Sequence, residues 1–391
     1  MKVCLINNLF GVTARGGAER VVADEALGLR AAGVDTVMLH SCNRGDEESR
    51  VCDGVVVRSI APLNLFWYGD LARHSWFARF AWHFVDIANV FARRQMKKVL
   101  MNVQPDVVHT HNIMGLGFLL PRLVKRMGVR HVHTVHDVQL LHPSGLIVSG
   151  SGHRGYQRVM RWIMSSPDVV IFPSQFLADM HEQAGFFVRS KKVIVRNPVP
   201  VVQNVRVGND DVVETKKQPS FLFVGQLEPH KGVRELLHAW QWWPSRPLHA
   251  TLDIIGGGSM EDWLHDIAVR DHSIHVHGKK NRDDIFSFYA AARYVIFPSI
   301  VIENAPAVIG ESFSVGVPVI AASVGGLPEL VSDNETGFLF RVRDEEDMIR
   351  AFDRAMAALP LWSVMSQRVR EIAVSLSREK HVAHLLEYYR N

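Results

Sequence analysis

The chain has 391 residues, too many for one ordinary hydrophobic core, so its length predicts two domains of about 150–200 residues. Its 47% hydrophobic and 21% charged residues are typical of a soluble globular protein, and no run of 18 apolar residues is present to span a membrane. The net charge of +4 combines +9 in residues 1–200 (24 Lys and Arg against 15 Asp and Glu) with −5 in the remainder (20 against 25), which favours an anionic partner for the first half.

Short apolar runs recur along the chain, and segments of helix length separate them. Because these runs are continuous rather than alternating, they predict parallel strands buried on both faces. The sequence therefore predicts two α/β domains, each a doubly wound sheet. The predicted strands are residues 2–6, 36–39, 107–109, 131–135, 169–172, 221–224, 252–255, 274–277, 294–297 and 317–321.

The first helix follows a glycine loop. Ala18, Val22, Ala26 and Leu29 share one helical face, and Gly33 is a typical helix stop. The loop before them, residues 11–19, lies where a phosphate loop would lie but lacks G-x-G-x-x-G. We expect a flexible loop that closes over a cleft.

Residues 62–100 interrupt the strand and helix alternation with an aromatic and basic segment. This composition is typical of an amphipathic helix at a membrane interface. An equally simple interpretation is a helix pair that covers the first sheet, and we expect this for most of the aromatic residues, with part of the segment exposed. The large apolar residues are Leu65, Phe66, Trp67, Tyr68, Trp76, Phe77, Phe80, Trp82, Phe84, Ile87, Val90 and Phe91.

A polar stretch at about 199–219 is the best candidate for a domain boundary. It predicts a first domain of residues 1–199, joined by a C-terminal helix at 376–391, and a second domain of residues 200–375. The two are expected to face each other across a cleft, with ligands at the carboxyl ends of the strands.

Histidines cluster at two predicted strand ends, His109 with His111 and His131 with His133. Histidines two apart share a strand face and could bind a metal, but no cysteine or further carboxylate stands beside them in the sequence. We therefore predict no metal site and a structural role for His131 and His133. His136-Asp137, just past a strand, are better placed to hydrogen-bond a sugar hydroxyl or a reacting centre.

Three loops of the second half follow predicted strands. Residues 225–232 place Lys231 between a strand and a helix, where a cation can meet a diphosphate. Residues 256–258 form a glycine turn that lets the backbone approach a ligand closely. The His277-Gly278 backbone could contact the edge of a base.

The most informative segment is 303–311, with two carboxylates, Glu303 and Glu311, eight positions apart around Pro306. A helix N-terminus suits phosphate, and carboxylates suit hydroxyl groups. A buried strand and the glycine turn at 325–329 follow directly. Together these features predict a pocket for a phosphate and sugar ligand.

These motifs, in this order, resemble the retaining glycosyltransferases of the GT-B fold, often called family 4 or group 1. No single motif is decisive, but their order and spacing across nearly the whole chain are specific. The resembling motifs are Gly16-Gly17-Ala18-Glu19-Arg20, residues 106–111, 133–137, Pro173-Ser174, 197–199, 224–227 with Lys231-Gly232, Gly257-Gly258, Glu303 with Glu311, and 325–329.

The resemblance implies that residues 1–199 bind the acceptor and residues 200–375 the nucleotide-sugar donor. It implies that Lys231 holds the donor diphosphate, that Glu311 binds the ribose, and that Glu303 binds hydroxyls of the transferred sugar. The implied catalytic residues are His136, Glu303 and Lys231. The other implied donor-binding residues are Gly17, Gln226, Gly257, His277, Gly278, Asn304, Ala305 and Ala307, and His111 and Asp137 are the candidates for acceptor binding.

The family works without a metal, and this chain has no convincing Asp-x-Asp at a strand end. One departure is Gln226, where the family usually has an arginine. The loss of a bidentate cation predicts weaker donor binding unless Lys279, Lys280 or Arg282 substitutes for it.

The expected reaction is transfer with retained anomeric configuration, from a nucleoside-diphosphate sugar to a saccharide in bacterial envelope or exopolysaccharide assembly. The basic first half and the aromatic segment suggest a lipid-linked acceptor and peripheral contact with an anionic membrane. The unpaired cysteines and the apolar run at the start favour a cytoplasmic protein without a secretory signal. The alternatives are a nucleotide-sugar 2-epimerase of the same fold and a non-catalytic nucleotide-sugar-binding subunit; nucleic acid is not an expected partner.

Overall fold

The structure is a computed structural model in which most of the chain is described. Most of the predicted linker at 199–219 lies outside the described residues, as does part of the first glycine loop. The described stretches are residues 1–11, 16–142, 154–200 and 219–390, without the side chains of Ala72, Arg282 and Asp283.

The chain divides into two compact units. The first unit is Met1–Pro198 together with Arg378–Asn391, and the second unit is Val199–Ser377. Each unit is built around one sheet, and helices separate most of its strands along the chain. The predicted class of two doubly wound α/β units is confirmed.

The sheet of the first unit has eight strands in the order β3-β4-β2-β1-β5-β6-β7-β8. All neighbours are parallel except β3 and β4, which pair antiparallel at the edge. The strands are β1 (Lys2–Ile6), β2 (Asp35–Ser41), β3 (Ser49–Cys52), β4 (Val55–Ile60), β5 (Val107–Thr110), β6 (Arg130–Thr134), β7 (Val169–Phe172) and β8 (Lys191–Ile194).

Helices cover both faces of this sheet. Alternate residues of β1 point to opposite faces, and each set is buried in its own hydrophobic core. Val3 and Leu5 belong to one core with the first and last helices of the chain. Cys4 and Ile6 belong to the other core, which contains Trp82. The helices are α1 (Gly17–Ala31), α2 (Trp76–Ile87), α3 (Val90–Val103), α4 (Leu120–Met127), α5 (Arg154–Ile163), α6 (Gln175–Gln183) and, after the second unit, α14 (Arg378–Arg390).

The sheet of the second unit has six strands, all parallel, in the order β11-β10-β9-β12-β13-β14. The strands are β9 (Ser220–Val224), β10 (Thr251–Ile255), β11 (Ile274–Val276), β12 (Tyr294–Phe297), β13 (Val319–Ala322) and β14 (Gly337–Phe340). The helices are α7 (Val233–Gln241), α8 (Glu261–Ala268), α9 (Arg282–Ala291), α10 (Ala307–Ser314), α11 (Leu327–Leu330), α12 (Glu345–Ala357) and α13 (Trp362–Ser375). Phe221 packs with Trp240 on one face, and Leu222 packs with Phe313 on the other.

The last helix, α14, packs on α1 in the first unit. A side chain at Gly28 of α1 would lie 2.6 Å from Val382, so this glycine permits the close approach of the two helices. The backbone carbonyl of Tyr388 accepts a hydrogen bond of 2.8 Å from Arg130 of β6. The end of the chain is therefore an integral part of the first unit.

The segment after β4 forms a short 3-10 helix and then the pair α2 and α3. Trp82 is fully buried and donates a hydrogen bond of 2.7 Å to the carbonyl of Phe66. The expectation that most of the aromatic residues cover the sheet is wrong. Trp76, Phe77, Phe80, Phe84 and Phe91 are exposed, because only the face of α2 that carries Trp82 and Asp86 points inward.

Candidate active site

The order of strands reverses in the second sheet at β9, which lies between β10 and β12. Loops that leave neighbouring strands in opposite directions open a crevice at such a point, and ligands of doubly wound sheets bind there. The two loops concerned are residues 225–231 after β9 and residues 298–306 after β12. They carry Lys231 and Glu303.

Lys231 and Glu303 form a close ion pair in this crevice. Lys231 Nζ lies 2.6 Å from Glu303 Oε1, and Ser299 Oγ donates a hydrogen bond of 2.8 Å to the same oxygen. Both charged side chains are partly buried, at 24% and 15% exposure. The ammonium group is thus held at the carboxyl edge of the sheet before any ligand arrives.

Two glycines with positive φ permit this loop geometry. Gly232, at φ +74°, ends the turn of Lys231, and a Cβ there would lie 1.9 Å from the carbonyl oxygen of Pro298. Gly325, at φ +64°, would place a Cβ 2.0 Å from the carbonyl oxygen of Glu303. A side chain at either position would push the loops apart. The chain therefore has glycine beside each member of the ion pair for a steric reason.

Helix α10 begins immediately after this loop, with Pro306 preceding its first residue, Ala307. The first amide groups of a helix lack intrahelical acceptors and favour anions. Glu311, on the next turn, is 4% exposed and accepts a hydrogen bond of 3.0 Å from Tyr289. The start of α10 thus lies directly after the segment with Glu303, Asn304 and Ala305, and the next turn of this helix carries Glu311.

The predicted turn after β10 also meets the loop after β9. Gly256, at φ +151°, would place a Cβ 1.8 Å from the carbonyl oxygen of Gly225. The aliphatic part of Lys279 lies over Gly257, 2.5 Å from where a Cβ would be. His277 Nε2 lies 2.6 Å from Asp253 Oδ1, and the carbonyl of Gly278 accepts from the amide of Gly256 at 3.0 Å.

Gln226 is exposed on this edge. Of the three basic residues that could replace an arginine at this position, Lys279 is the one whose side chain is seen to lie on the glycine turn, and Lys280 is exposed. The side chain of Arg282 lies outside the described residues.

In the first unit, β5 and β6 are neighbours and bring His111 and His136 together beyond their carboxyl ends. His111 Nδ1 lies 2.9 Å from His136 Nε2. Burial lowers the pKa of His136 to about 3, and His111 adds to the shift, so His136 is neutral at pH 7. Burial raises the pKa of Asp137, whose Oδ1 accepts from the amide of Gln139 at 2.7 Å.

Sequence reasoning missed Glu25 of α1. The sequence places no further carboxylate beside the histidines, but the fold buries Glu25 against them. Glu25 Oε2 lies 3.2 Å from His111 Nε2 and 3.6 Å from His109 Nδ1, and Glu25 Oε1 lies 2.9 Å from His381 Nε2. The one available signal was a carboxylate next to the apolar stripe that includes Val22 of α1.

His111 is 1% exposed, so it has almost no surface to offer an acceptor, contrary to its expected role. Its ring lies between Glu25 and His136. His131 and His133 are also buried, and both lie within 2.9 Å of the Thr110 hydroxyl, as a structural role predicts.

Gly17 is the first residue of α1 and is exposed. A Cβ at this position would have no atom of the protein within 4 Å. The fold therefore does not require a glycine here, and the expected contact of Gly17 with the donor stays a prediction.

The fold defines a class of protein with two doubly wound units, and in this chain the crevice of the second unit holds a lysine close to the start of a helix. The model of glycosyl transferases group 1 matches residues 209–371, and the model of glycosyltransferase family 4 matches residues 15–203. The chain belongs to this family of GT-B glycosyltransferases, which confirms the resemblance, and it is a glycosyltransferase. Among the described residues, every helix is too short or too polar to cross a membrane.

Similar proteins include an uncharacterized 42.6 kDa protein in the cps region of Klebsiella pneumoniae. It is 26% identical over 347 residues, which are 84% of this chain and 87% of that protein. Glycogen synthase of Mycobacterium tuberculosis is 26% identical over 364 residues, 88% of this chain and 83% of that enzyme.

Two solved structures share the fold across almost the whole chain. Sucrose-phosphate synthase from Thermosynechococcus elongatus has a TM-score of 0.77 at 18% identity and covers 100% of this chain and 98% of that one. Anabaena HepE in complex with UDP-glucose has a TM-score of 0.71 at 17% identity and covers 99% and 98%.

Proposed function

We propose that this chain is a retaining, metal-independent hexosyltransferase that moves a sugar from a nucleoside-diphosphate sugar to a hydroxyl group of a saccharide acceptor. The observation that carries the proposal is the ion pair of Lys231 and Glu303, which lies where the strand order reverses and directly before the start of α10. A cation and helix amides suit a diphosphate, and a carboxylate suits the hydroxyls of a sugar.

In this proposal the second unit holds the donor. Lys231 and the amides of Ala305 and Ala307 bind the diphosphate, and Glu303 accepts hydrogen bonds from the transferred sugar. Glu311 accepts hydrogen bonds from the ribose; its contact with the Tyr289 hydroxyl fixes the carboxylate. Asn304, Gly257, His277 and Gly278 complete the donor site with backbone groups.

The reaction breaks the bond between the anomeric carbon and the diphosphate oxygen and forms a bond from the same face to the acceptor oxygen. The acceptor proton passes to an oxygen of the leaving diphosphate. Lys231 and the start of α10 stabilise the charge that develops on the leaving group, which is the role a metal has in other transferases. Neutral His136, supplied by the first unit, hydrogen-bonds a hydroxyl of the transferred sugar, and Asp137 is a candidate for acceptor binding.

We also propose that the acceptor is linked to a lipid and that the first unit contacts an anionic membrane. The outward face of α2 carries Trp76, Phe77, Phe80 and Phe84, each more than 60% exposed. Basic residues lie before, within and after this aromatic helix in the sequence: Arg73, Arg79, Arg93, Arg94, Lys97 and Lys98. Aromatic rings insert at the headgroup level and basic side chains bind anionic lipids, so the two observations favour the same partner.

The proposed setting is extracellular polysaccharide assembly at the inner face of the plasma membrane. The similar Klebsiella protein is described as lying in a cps region, and its match with this chain covers 87% of its own length. The aromatic face of α2 is consistent with an acceptor that is held at a membrane surface.

A thermal-shift screen against UDP-, GDP- and ADP-sugars tests the donor proposal. A ligand that binds only the folded state raises its apparent stability, by about 2.7 kcal/mol at a concentration 100 times its Kd. The expected result is stabilisation by one nucleotide class, abolished by Lys231→Ala. Absence of stabilisation by every sugar nucleotide would contradict the proposal, and an epimerised sugar after incubation with donor alone would favour the epimerase.

Co-sedimentation with vesicles of phosphatidylglycerol and phosphatidylcholine tests the membrane proposal. The variant Phe77→Ser/Phe84→Ser should lose binding, and salt should weaken binding of the wild type. Trp242→Ser is the matched control, because Trp242 is 77% exposed but lies in the second unit. Equal binding by the double variant, or no salt-sensitive binding at all, would favour a soluble acceptor.

A further inference from the structure

The buried carboxylate of Glu25 joins two parts of the first unit that are distant in sequence. On one side it contacts His111, which contacts the candidate catalytic residue His136. On the other side it contacts His381 of α14. Glu25 is 1% exposed, so its charge must be balanced by these neighbours.

The protons of His381 follow from its two partners. Nδ1 lies 2.9 Å from the carbonyl oxygen of Arg196, and Nε2 lies 2.9 Å from Glu25 Oε1. A carbonyl oxygen and an ionised carboxylate only accept hydrogen bonds, so both nitrogens of His381 must carry protons. The resulting imidazolium balances the charge of Glu25.

Glu25 is ionised in this environment. Burial alone would raise its pKa, but the proximity of His111 and His109 and the hydrogen bond of 2.9 Å with His381 Nε2 outweigh burial and hold the pKa well below its usual range. Tyr389 also faces the carboxylate, and burial together with the charge of Glu25 raises the pKa of that phenol. The carboxylate is therefore an acceptor only.

Among the described residues, Glu25, His109 and His111 each have a possible metal-ligand atom, and these three atoms lie within 4.8 Å of one another. Glu25 Oε2 and His111 Nε2 are buried without a hydrogen-bond partner among the described residues, and they lie 3.2 Å apart. The third atom, Nδ1 of His109, lies 2.7 Å from the hydroxyl of Tyr389, and Nε2 of the same ring lies 2.8 Å from Thr134. The two unpartnered atoms thus complement each other, with His111 as the donor.

The direction of the next contact then follows. When Nε2 of His111 carries a proton toward Glu25 and Nδ1 of the same ring carries none, that Nδ1 accepts from Nε2 of His136 at 2.9 Å. Because His136 is neutral, its proton is on Nε2 and its Nδ1 has none. Any partner of that Nδ1 must then donate, as a sugar hydroxyl does.

We propose that Glu25 is a positioning residue for the transfer reaction: through His111 it fixes His136 as the tautomer that is protonated at Nε2 and accepts a hydrogen bond at Nδ1. The inference rests on the proposed role of His136 at the transferred sugar. It assigns a function to a residue that touches neither donor nor acceptor.

The experiment is long-range ¹H–¹⁵N NMR of the histidine rings, which distinguishes protonated from unprotonated ring nitrogens, with His136→Asn to assign the signals. The wild type should show His136 protonated at Nε2 alone. Glu25→Gln presents an amide that can donate to His111, so His136 should shift toward protonation at Nδ1. Asp24→Asn, on the same helix, is the control and should leave the tautomer unchanged.

Kinetics provide the second measurement. Glu25→Gln should lower kcat about tenfold, the effect of one misdirected hydrogen bond, with little change in donor KM. Protonation of His136 at Nδ1 in the wild type would overturn the proposal, as would an unchanged tautomer and kcat in Glu25→Gln, or stoichiometric Zn²⁺ binding that Glu25→Gln abolishes.

The experiment separates a failure of this inference from a failure of the proposed function. If Glu25→Gln does not fold, the tautomer of the wild type alone still decides the proposal. If the wild type transfers no sugar, the proposed function fails, whereas a wild type that transfers sugar with His136 protonated at Nδ1 refutes only the role of Glu25.

Discussion

Replacing Glu303 with Gln separates stability, donor binding and transfer in one variant. The carboxylate accepts from Lys231 at 2.6 Å and from Ser299 at 2.8 Å, and it is mostly shielded from solvent. Hydrogen bonds to charged groups contribute about 1.5–3 kcal/mol each, and residual exposure reduces this value, so the loss should be about 2 kcal/mol. For a unit of this size that corresponds to a decrease of roughly 4–8 °C in Tm.

Nucleotide binding and transfer should respond differently in Glu303→Gln. Lys231 is released from its carboxylate, so the Kd for the nucleoside diphosphate should stay the same or fall. The proposed contact with the sugar loses its charge, and kcat should fall by about 10²–10³. Calorimetric titration and a coupled transfer assay measure the two quantities.

Glu335→Gln is the matched control for Glu303→Gln. Glu335 is a carboxylate of the same unit that is 63% exposed and 3.7 Å from Arg368, so its replacement should change stability by less than about 0.5 kcal/mol. A tenfold weaker nucleotide affinity in Glu303→Gln, or an unchanged kcat, would contradict the proposed role of Glu303 at the transferred sugar.

Lys279→Ala should raise the donor KM about tenfold and Lys280→Ala less than twofold in steady-state kinetics, because Lys279 lies on the glycine turn; equal effects would contradict this. Gly17→Ala should keep its Tm but lose kcat/KM, since a Cβ meets no protein atom; full activity would place Gly17 away from the diphosphate. Burial raises the pKa of Asp86 to about 7, so the folded protein keeps this proton at pH values where the unfolded chain, with a pKa of about 3.9, has released it. The free energy of unfolding should therefore fall as pH rises from about 4 to 7, by on the order of 2 kcal/mol between pH 5 and 7.5. Urea unfolding at several pH values should show this loss in the wild type and not in Asp86→Asn. The same dependence of stability on pH in both proteins would contradict the prediction.

Most of the strands that are flanked on both sides could be predicted from the sequence, and most of the edge strands could not. Continuous apolar runs found ten strands; nine of them are flanked on both sides, and the tenth is the edge strand β11. The runs missed β3 and β8, whose residues are mostly exposed, because edge strands carry polar residues such as Lys191 and Lys192. They also missed the edge strand β14 and the interior strand β4, whose apolar run is interrupted by Arg58 and Ser59.

The donor side of the candidate site could be predicted because its residues follow strands directly. Lys231 and Glu303 lie in loops that follow the neighbouring strands β9 and β12, and parallel strands bring such loops to one edge of the sheet. Glu25 could not be predicted, since its partner His381 is 356 positions away in the chain. Periodicity likewise could not show which face of α2 is covered, because Phe84 and Trp82 are equally apolar.

The anomeric configuration of the product is the most direct test of the proposed retaining transfer. With the donor identified by thermal shift, ¹H NMR of the new linkage reports whether the anomeric configuration of the donor sugar is kept. We expect retention, with loss of product in Lys231→Ala and in Glu303→Gln. An inverted anomeric centre would contradict it.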